Sequence, residues 1–425
     1  MSGNQLNLDP KVVIAGLFTF PCGSASASRV RNLALGLGEA GASVHVISMA
    51  PPSPALIQEA TSSQNDYHGI TYEFSSLPCP PRATAGPLAP ARQFARKSVW
   101  LRRLYASVKP ARRSLERLIL AGRCDLFLGY GRMLSLMRPL LRVCQGHRIP
   151  GIVDVVEIPG SCAGFGGSLS PIWWEEKLGC AYFARHCDGL TTITTSLKEY
   201  YEKRGAQKIL VLPSLAERKD LPVPPVHDAA QPFTLAYVGT LPDRDSPRLM
   251  FGVVRELIAI GNNVRLQVFG RYQADAAGRR WLEWCRNEPS LRGVVEFVGE
   301  LSDEKLCESV GKADALILMR RNSAGERASF PTRLVEYLGF GLPVFVSAVG
   351  DIPRYLEHNN HAILLAGENP QTIAESIRPV IGSPDRGRSL GLRGRLQGEA
   401  CFDRALHARR LLQFAAELRR KAVIT

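Results

Sequence analysis

The sequence predicts an α/β protein built from two Rossmann-like domains. Apolar runs such as residues 12–18 alternate with helical segments along the 425-residue chain, and such runs are typical of parallel strands that are buried on both faces. A chain of this length is long for one core and suits two domains of about 200 residues each. The alternation is interrupted between Pro213 and Pro232, where five prolines occur. This stretch therefore predicts a linker between domains.

We place the first domain at residues 1–213, the linker at 214–232 and the second domain at 233–400. The first domain opens with a strand, a loop of small residues that includes Gly23 and Ser24, a helix from about Arg29 and a second strand. Ligands of open α/β sheets bind at such carboxyl ends of strands. The loop lacks G-x-G-x-x-G, so we expect no dinucleotide cofactor. Further strands are predicted at 126–130, 152–156, 189–193, 209–212, 234–238, 264–269, 294–298 and 315–319.

The sequence of residues 329–347 predicts a loop, a short helix and a strand. The other candidate binding residues are expected to lie around this segment. Pro331 suits the first helical position, and Gly341 suits the left-handed residue that ends a helix. A helix N-terminus attracts anions, and Arg333 adds a positive charge there. Glu336 lies one turn further along the helix and could bind the ribose of a nucleotide. The backbone N–H groups expected to point toward a ligand are those of Thr332, Arg333 and Leu334.

An alternative is that Arg333 and Glu336 form only an exposed ion pair three residues apart, which stabilises a helix slightly. Other strand ends of the second domain favour the anion site, because the carboxyl ends of parallel strands meet at one edge of a sheet. Several arginines that converge on a helix N-terminus suit a diphosphate. The additional residues expected at this edge are Gly239, Thr240, Arg244, Gly270, Arg271, Arg320 and Arg321.

Two carboxylates of the first domain are further candidates. Asp154 and Glu157 lie at the end of a predicted strand, followed by the glycine-rich stretch 160–168. A carboxylate in this position could contact an acceptor hydroxyl or take part in catalysis. Otherwise it is a helix cap or a solvated loop charge.

The basic residues are concentrated in one segment, residues 82–123, which contains 11 Lys and Arg and one acidic residue. Apolar residues recur there with helical spacing. The segment could meet an anionic membrane surface, or it could be a solvated helical face packed on its domain. A nucleic-acid surface is disfavoured because aromatic interleaving and a recognisable binding module are lacking. We expect no nucleic-acid partner.

The remaining composition suits a cytoplasmic protein. The ten cysteines form no Cys-x-x-Cys and no zinc-like spacing with histidine, so we expect no metal site and mostly buried thiols in a reducing compartment. No apolar run reaches 18 residues, and the polar start of the sequence does not resemble a secretory signal.

Several motifs resemble those of the retaining group 1 (family four) glycosyltransferases. They are Gly23-Ser24, Ser28-Arg29-Val30, residues 154–157, Pro213-Ser214, residues 237–239, residues 330–338, residues 341–344 and residues 350–353. The resemblance implies the GT-B fold, in which two Rossmann-like domains face each other across a cleft. It also implies that a C-terminal helix, residues 404–421 within 401–425, crosses back to the first domain.

The resemblance further implies transfer of a sugar from an NDP-sugar to a hydroxyl group, with retention at the anomeric carbon and no obligatory metal. Glu336 corresponds to the ribose-binding glutamate, Thr332 and Arg333 to the phosphate-binding amides, and Gly23 to the loop that meets donor and acceptor. We assign catalytic roles to Glu157, Arg244 and Arg333. The residues assigned to donor binding are Gly23, Ser24, Gly239, Thr240, Gly270, Arg271, Arg320, Pro331, Thr332, Leu334 and Glu336. The acceptor is expected to be a glycan or lipid-linked glycan, which would suit a protein at the inner membrane surface.

Two departures from the family pattern leave alternatives open. The family has a first glutamate where this chain has Ala328, with Glu326 out of register, and an arginine where this chain has Thr240. A catalytically silent, membrane-associated assembly subunit is therefore one alternative. A sugar-nucleotide epimerase of the same fold is another.

Overall fold

The computed structural model describes residues 9–22, 25–50, 52, 65–76, 102–160, 170–216, 227, 230–274 and 276–424. The chain divides into two compact units. The first comprises Met1–Leu215 and Arg404–Thr425, and the second comprises Ala216–Asp403. Much of the predicted linker lies outside the described residues. Each unit contains a largely parallel sheet with helices, so the predicted fold class is confirmed.

In the described part of the first unit, eight strands form one sheet in the order β3-β4-β2-β1-β5-β6-β7-β8. The strands are β1 (Lys11–Gly16), β2 (Ser43–Ser48), β3 (Asn65–Tyr67), β4 (Ile70–Phe74), β5 (Leu126–Tyr130), β6 (Gly151–Val155), β7 (Gly189–Thr192) and β8 (Ile209–Val211). The helices are α1 (Ala25–Glu39), α2 (Val108–Leu120), α3 (Leu134–Gly146), α4 (Pro171–His186), α5 (Thr195–Glu202) and the C-terminal α14 (Arg404–Ile424). Neighbouring strands are parallel except β3 and β4.

The C-terminal helix α14 packs on α1 within the first unit. Leu33 and Leu37 of α1 and Leu411 of α14 are fully buried in one hydrophobic core, and each such side chain stabilises the fold by about 1.5–3 kcal/mol. A side chain at Gly36 would collide with the backbone of Arg404. The absence of a Cβ at this position therefore allows the two helices to approach closely.

Among the described residues of the second unit, six parallel strands form one sheet in the order β11-β10-β9-β12-β13-β14. The strands are β9 (Phe233–Val238), β10 (Val264–Phe269), β11 (Val295–Gly299), β12 (Ala315–Leu318), β13 (Val344–Ser347) and β14 (Ile363–Leu365). The helices are α6 (Pro247–Ala259), α7 (Ala276–Asn287), α8 (Asp303–Gly311), α9 (Ala324–Arg327), α10 (Thr332–Gly339), α11 (Ile352–Tyr355), α12 (Pro370–Ile381) and α13 (Pro384–Phe402). Because the strands are parallel, the loops after β9, β10 and β12 leave the sheet at one edge, as predicted.

The basic segment is described only in part, since residues 77–101 lie outside the described residues. Helix α2 buries Ala111, Leu115 and Leu118 and exposes Arg112 and Arg113. The helical periodicity predicted here is therefore confirmed for α2. No helix in the described ranges is both long enough and apolar enough to cross a membrane.

Candidate functional site

The central helix of the predicted site is α10. Pro331 has φ −73° and ψ 111° and is the N-cap, and the helix begins at Thr332. The prediction that Pro331 occupies the first helical position is therefore wrong by one residue, because its extended ψ angle keeps it outside the helix. At the other end, Gly341 has φ 68°, which is the left-handed conformation that was predicted for it.

The three amides expected at the helix N-terminus are not equivalent. The N–H of Leu334 donates to the carbonyl of Pro331 at 3.0 Å, and its side chain is fully buried. The expectation that Leu334 offers a free donor is therefore wrong, since the first turn already uses that N–H. The Pro331 ring has no N–H to offer. The backbone N–H groups of Thr332 and Arg333 remain the candidates for an anion at this end.

The guanidinium of Arg333 is held inside the second unit. Its Nη1 donates to the hydroxyl of Tyr237 at 2.8 Å and to the carbonyl of Val238 at 2.9 Å. Its Nη2 forms an ion pair with Asp245, whose side chain is only 1% exposed. The Tyr237 hydroxyl in turn donates to Asp245 Oδ2 at 2.6 Å. The charge of Arg333 is thus balanced by an internal carboxylate.

This network also fixes the ionisation of its members. Burial, together with the nearby Asp245 carboxylate, raises the pKa of Tyr237, while Arg333 acts in the opposite direction. Burial would lower the pKa of Arg333, but Tyr237 and Asp245 raise it above its usual value. Tyr237 is therefore a neutral hydrogen-bonding group, and the charged pair is Arg333 with Asp245. Neither Tyr237 nor Asp245 was singled out from the sequence.

A second contact ties the end of β9 to α10. The N–H of Val238 donates to the hydroxyl of Tyr337 at 2.7 Å. Burial raises the pKa of this tyrosine. The end of β9 is therefore connected to α10 at two points, by Arg333 at the start of the helix and by Tyr337 near its end.

The loops after β9 and β10 approach each other at glycines. A Cβ at Gly270 would lie 2.7 Å from the carbonyl oxygen of Gly239, and Gly270 has φ +113°. A Cβ at Gly239 would collide with the Arg333 guanidinium. The two glycines and Arg333 are therefore brought together, as the predicted site requires, and side chains would not fit between them.

Two of the predicted arginines are exposed at this edge. Arg244 lies in a short 3₁₀ helix, Asp243–Asp245, and Thr240 precedes it on the same loop; both are exposed. Arg271 Nε lies 3.3 Å from Glu300 Oε1, and both side chains are 62% exposed. Such an exposed pair is easily exchanged for a ligand, because it contributes little to stability.

Arg320 differs from these exposed arginines. Its side chain is 5% exposed, pairs with Glu326 and donates to Ser329 Oγ at 2.9 Å. Ala328, which replaces the family's first glutamate, is 3% exposed. Arg320 thus holds the loop before α10, whereas Glu336 on α10 is exposed.

In the first unit, Glu157 belongs to a charged cluster. Arg132 Nη1 lies 3.3 Å from Glu157 Oε2, and Arg132 Nη2 lies 2.8 Å from Glu176 Oε1. Glu176 also accepts from the N–H of Gly160 at 2.9 Å. The Glu157 side chain is 22% exposed and that of Glu176 is 8% exposed. Glu157 is thus the more accessible carboxylate of the cluster, and Arg132 orients it.

Asp154 is not available to a substrate. Its carboxylate is 1% exposed and accepts from Arg29 Nε at 2.7 Å, Arg29 Nη2 at 2.8 Å and Thr191 Oγ1 at 2.7 Å. Asp154 forms a buried ion pair. It is therefore neither a substrate contact nor a solvated loop charge, the two interpretations considered from the sequence. Gly23, Ser24 and residues 161–169 of the glycine-rich stretch lie outside the described residues.

The fold is that of the GT-B glycosyltransferases. Among solved structures, a sucrose-phosphate synthase from Thermosynechococcus elongatus matches with a TM-score of 0.68 at 16% identity, over 96% of this chain and 99% of that chain. HepE from Anabaena in complex with UDP matches with a TM-score of 0.67 at 12% identity, over 96% and 100%. The lipopolysaccharide outer core galactosyltransferase WaaB matches with a TM-score of 0.62 at 14% identity, over 96% and 99%. None of the curated proteins matches the sequence.

The sequence match is with the group 1 glycosyl transferases. Their family model matches residues 232–383, the part of the second unit that contains α10 and the loops after β9, β10 and β12. The resemblance to group 1 glycosyltransferases is thereby confirmed for this region. The assignment to the retaining family four stays a prediction.

Proposed function

We propose that the protein is a glycosyltransferase that moves a sugar from an NDP-sugar to a hydroxyl group of a glycan or lipid-linked glycan, with retention of configuration. The main support is the corner formed by α10, Gly239 and Gly270, which lies in the region that matches the group 1 family. The presence of UDP in the HepE structure makes a uridine nucleotide the first donor to test.

In this proposal the second unit stabilises the departing diphosphate. The amides of Thr332 and Arg333 and the side chains of Arg244 and Arg271 supply positive potential, and Glu336 binds the ribose. Interactions that strengthen as charge develops on the leaving group lower the barrier, whereas equal binding of substrate and transition state does not. The Arg333 side chain contributes by holding the loop after β9 in place. No metal is required, because the cations and amides provide the charge stabilisation.

Glu157 is proposed to act on the acceptor side. Its partly exposed carboxylate, oriented by Arg132, would accept a hydrogen bond from the acceptor hydroxyl. The departing phosphate would then take the proton, so that the new bond forms on the face from which the nucleotide leaves. Holding the two reacting groups together provides the remainder of the rate enhancement.

The basic surface of the first unit supports the proposed acceptor class. A cavity of about 610 Å³ between α2 and α3 is lined by Arg112, Arg138 and Arg142, and such a surface suits anionic lipid headgroups. We therefore propose a cytoplasmic protein that works at the inner membrane surface on a lipid-linked glycan. The printed description of WaaB, a lipopolysaccharide galactosyltransferase, is compatible with this proposal.

One observation favours a second candidate, a catalytically silent assembly subunit. Ala328 is buried at the position of the family's first glutamate, and Arg333 is already paired with Asp245, so neither position presents an unpaired charge to the donor. Thermal shift with UDP, GDP and ADP separates the candidates. Stabilisation by one nucleotide supports the transferase, and no stabilisation by any of the three would overturn it.

A further inference from the structure

The second unit contains a cavity outside the predicted donor site. It encloses about 630 Å³ and is lined by the first turn of α6, two tryptophans of α7, Arg321 after β12, and Glu368 and Pro370 before and in α12. Its volume lies within the range of small-molecule sites. Arg321, which was expected at the anion-binding edge of the sheet, lines this cavity instead, and the residues assigned to donor binding do not line it. Arg320 and Arg321 therefore have different surroundings: Arg320 holds the loop before α10, whereas Arg321 lines the cavity.

The lining of the cavity is positively charged. Arg248, Arg255 and Arg321 face one carboxylate, Glu368. Arg255 lies 3.7 Å from Glu256, and Glu368 accepts from the N–H of Asn322 at 3.5 Å. The exposed Arg248 and Arg321 side chains form no ion pair within the part of the chain that is described. Arg280 and Trp281, and to a lesser degree Arg321, lower the pKa of the Asp243 carboxyl near this end of the cavity. The cavity therefore favours an anionic ligand.

One hydroxyl of the lining, that of Ser246, has no hydrogen-bond partner among the described residues. Ser246 is 7% exposed and immediately precedes α6, yet its side chain does not cap the helix. The hydroxyl oxygen is not fully buried, so a ligand in the cavity can reach it. A ligand oxygen at the start of α6 would satisfy both this hydroxyl and the first-turn amides.

The aromatic residues of the lining indicate which chemical group of the ligand carries the anionic charge. The rings of Trp281 and Trp284 meet edge to face, with centroids 5.9 Å apart and an interplanar angle of 75°, and Phe251 stacks on Trp284. Two rings at this angle form a corner, whereas a flat base stacks best between parallel surfaces. A pyranose ring presents C–H groups to an indole and hydroxyl groups to the surrounding arginines.

We propose that this cavity binds a pyranose that bears a carboxylate or phosphate group, separately from the NDP-sugar. The anionic group contacts Ser246, the start of α6 and Arg321, and the sugar ring lies against Trp281 and Trp284. The inference goes beyond sugar transfer, and it depends on the lining of the second unit alone.

Calorimetric titration of the whole protein tests the proposal with glucose 6-phosphate, glucuronate, a hyaluronan tetrasaccharide, glucose and inorganic phosphate. We expect saturable binding of at least one charged sugar, and affinity at least tenfold lower for glucose and for phosphate. Tighter binding of the tetrasaccharide would identify a glycan, and tighter binding of glucose 6-phosphate would identify a free sugar phosphate. Absence of charged-sugar binding at concentrations up to about 10 mM, roughly tenfold above a millimolar dissociation constant, would overturn the proposal. Equal affinity for phosphate would also overturn it.

Variants locate the binding site. Arg321→Ala and Ser246→Ala should each weaken binding, the first by about tenfold, whereas Arg378→Ala, an exposed arginine of α12 outside the cavity, should leave it unchanged. Saturating UDP should also leave it unchanged. Competition by UDP, or full affinity in Arg321→Ala, would show that the sugar binds elsewhere and would overturn the assignment. The donor-site proposal is tested separately, by the nucleotide thermal shift.

Discussion

Arg333 and Asp245 form an ion pair that connects the start of α10 to the loop after β9. The Asp245 carboxylate is 1% exposed, while the Arg333 side chain retains 23% exposure. Removing one partner of such a pair is costly because the remaining charge is left without compensation. The pair is therefore a structural support of the corner at which the diphosphate is proposed to bind.

Asp245→Ala should reduce the free energy of unfolding by about 2 kcal/mol or more, because Arg333 and Tyr237 lose their shared acceptor. Urea unfolding measures the change. Asp243→Ala is the matched control two residues earlier. Asp243 accepts from Arg280 at 2.6 Å and from the Trp281 indole N–H at 3.0 Å, with 47% exposure, so its loss should cost only about 1 kcal/mol. Equal destabilisation by both changes would contradict the structural role of Asp245.

Glu336→Ala should lower the turnover of sugar transfer at least tenfold and abolish the thermal shift with the donor nucleotide. Loss of a charge-assisted hydrogen bond to the ribose costs about 1.5–3 kcal/mol, and about 1.4 kcal/mol corresponds to a factor of ten. Steady-state kinetics and thermal shift provide the two measurements. Glu375→Ala, an exposed glutamate of α12, is the control. Wild-type behaviour of Glu336→Ala would remove the ribose assignment.

Arg271→Ala should lower turnover about tenfold without changing the unfolding temperature, because its only described ion pair, with Glu300, is fully at the surface and worth little. Glu300→Ala is the matched second variant, because it keeps Arg271 and removes the carboxylate with which Arg271 is paired. We expect unchanged or higher activity for Glu300→Ala in the same kinetic assay. If Arg271→Ala matches the wild-type rate, Arg271 does not stabilise the leaving group.

Glu157→Gln should lower transfer at least tenfold and leave the nucleotide thermal shift intact, since glutamine keeps the size of the side chain and removes its charge. Steady-state kinetics measure the rate of transfer, and the thermal shift measures nucleotide binding. Glu202→Gln on α5 removes a carboxylate of similar kind from an exposed pair with Lys198 and should have no effect. A loss of nucleotide binding in Glu157→Gln would argue against an acceptor-side role.

The stability of the first unit should fall in acid through Glu73. Burial raises the pKa of this carboxyl, but hydrogen bonds from His45 and Ser114 outweigh it and lower the pKa from 4.5 to about 2. A depressed pKa contributes stability that is present above pH 4.5 and is lost as the pH falls toward 2. The stability difference between wild type and Glu73→Gln should therefore shrink between pH 4.5 and pH 2.5. Urea unfolding at stepwise pH measures it, and a constant difference would contradict the assignment.

The strands and α10 could be predicted from the sequence because their signals are local. Strands β5 and β10 have the predicted bounds, and Gly341 has the predicted left-handed conformation. The partners of charged residues could not be predicted in this way. Arg333 and Asp245 are 88 residues apart, and Asp154 meets Arg29 across 125 residues. Only the folded chain brings these groups together, so an arginine expected to face a ligand was found to face a carboxylate of its own unit.

The contact between Gly239 and the Arg333 guanidinium has a consequence for protein engineering. A chimera that receives residues 239–246 from a relative without a carboxylate at position 245 would lose the counter-ion of Arg333, and a side chain at position 239 would collide with the guanidinium. Such an exchange should yield folded protein only when position 333 is transplanted together with the loop.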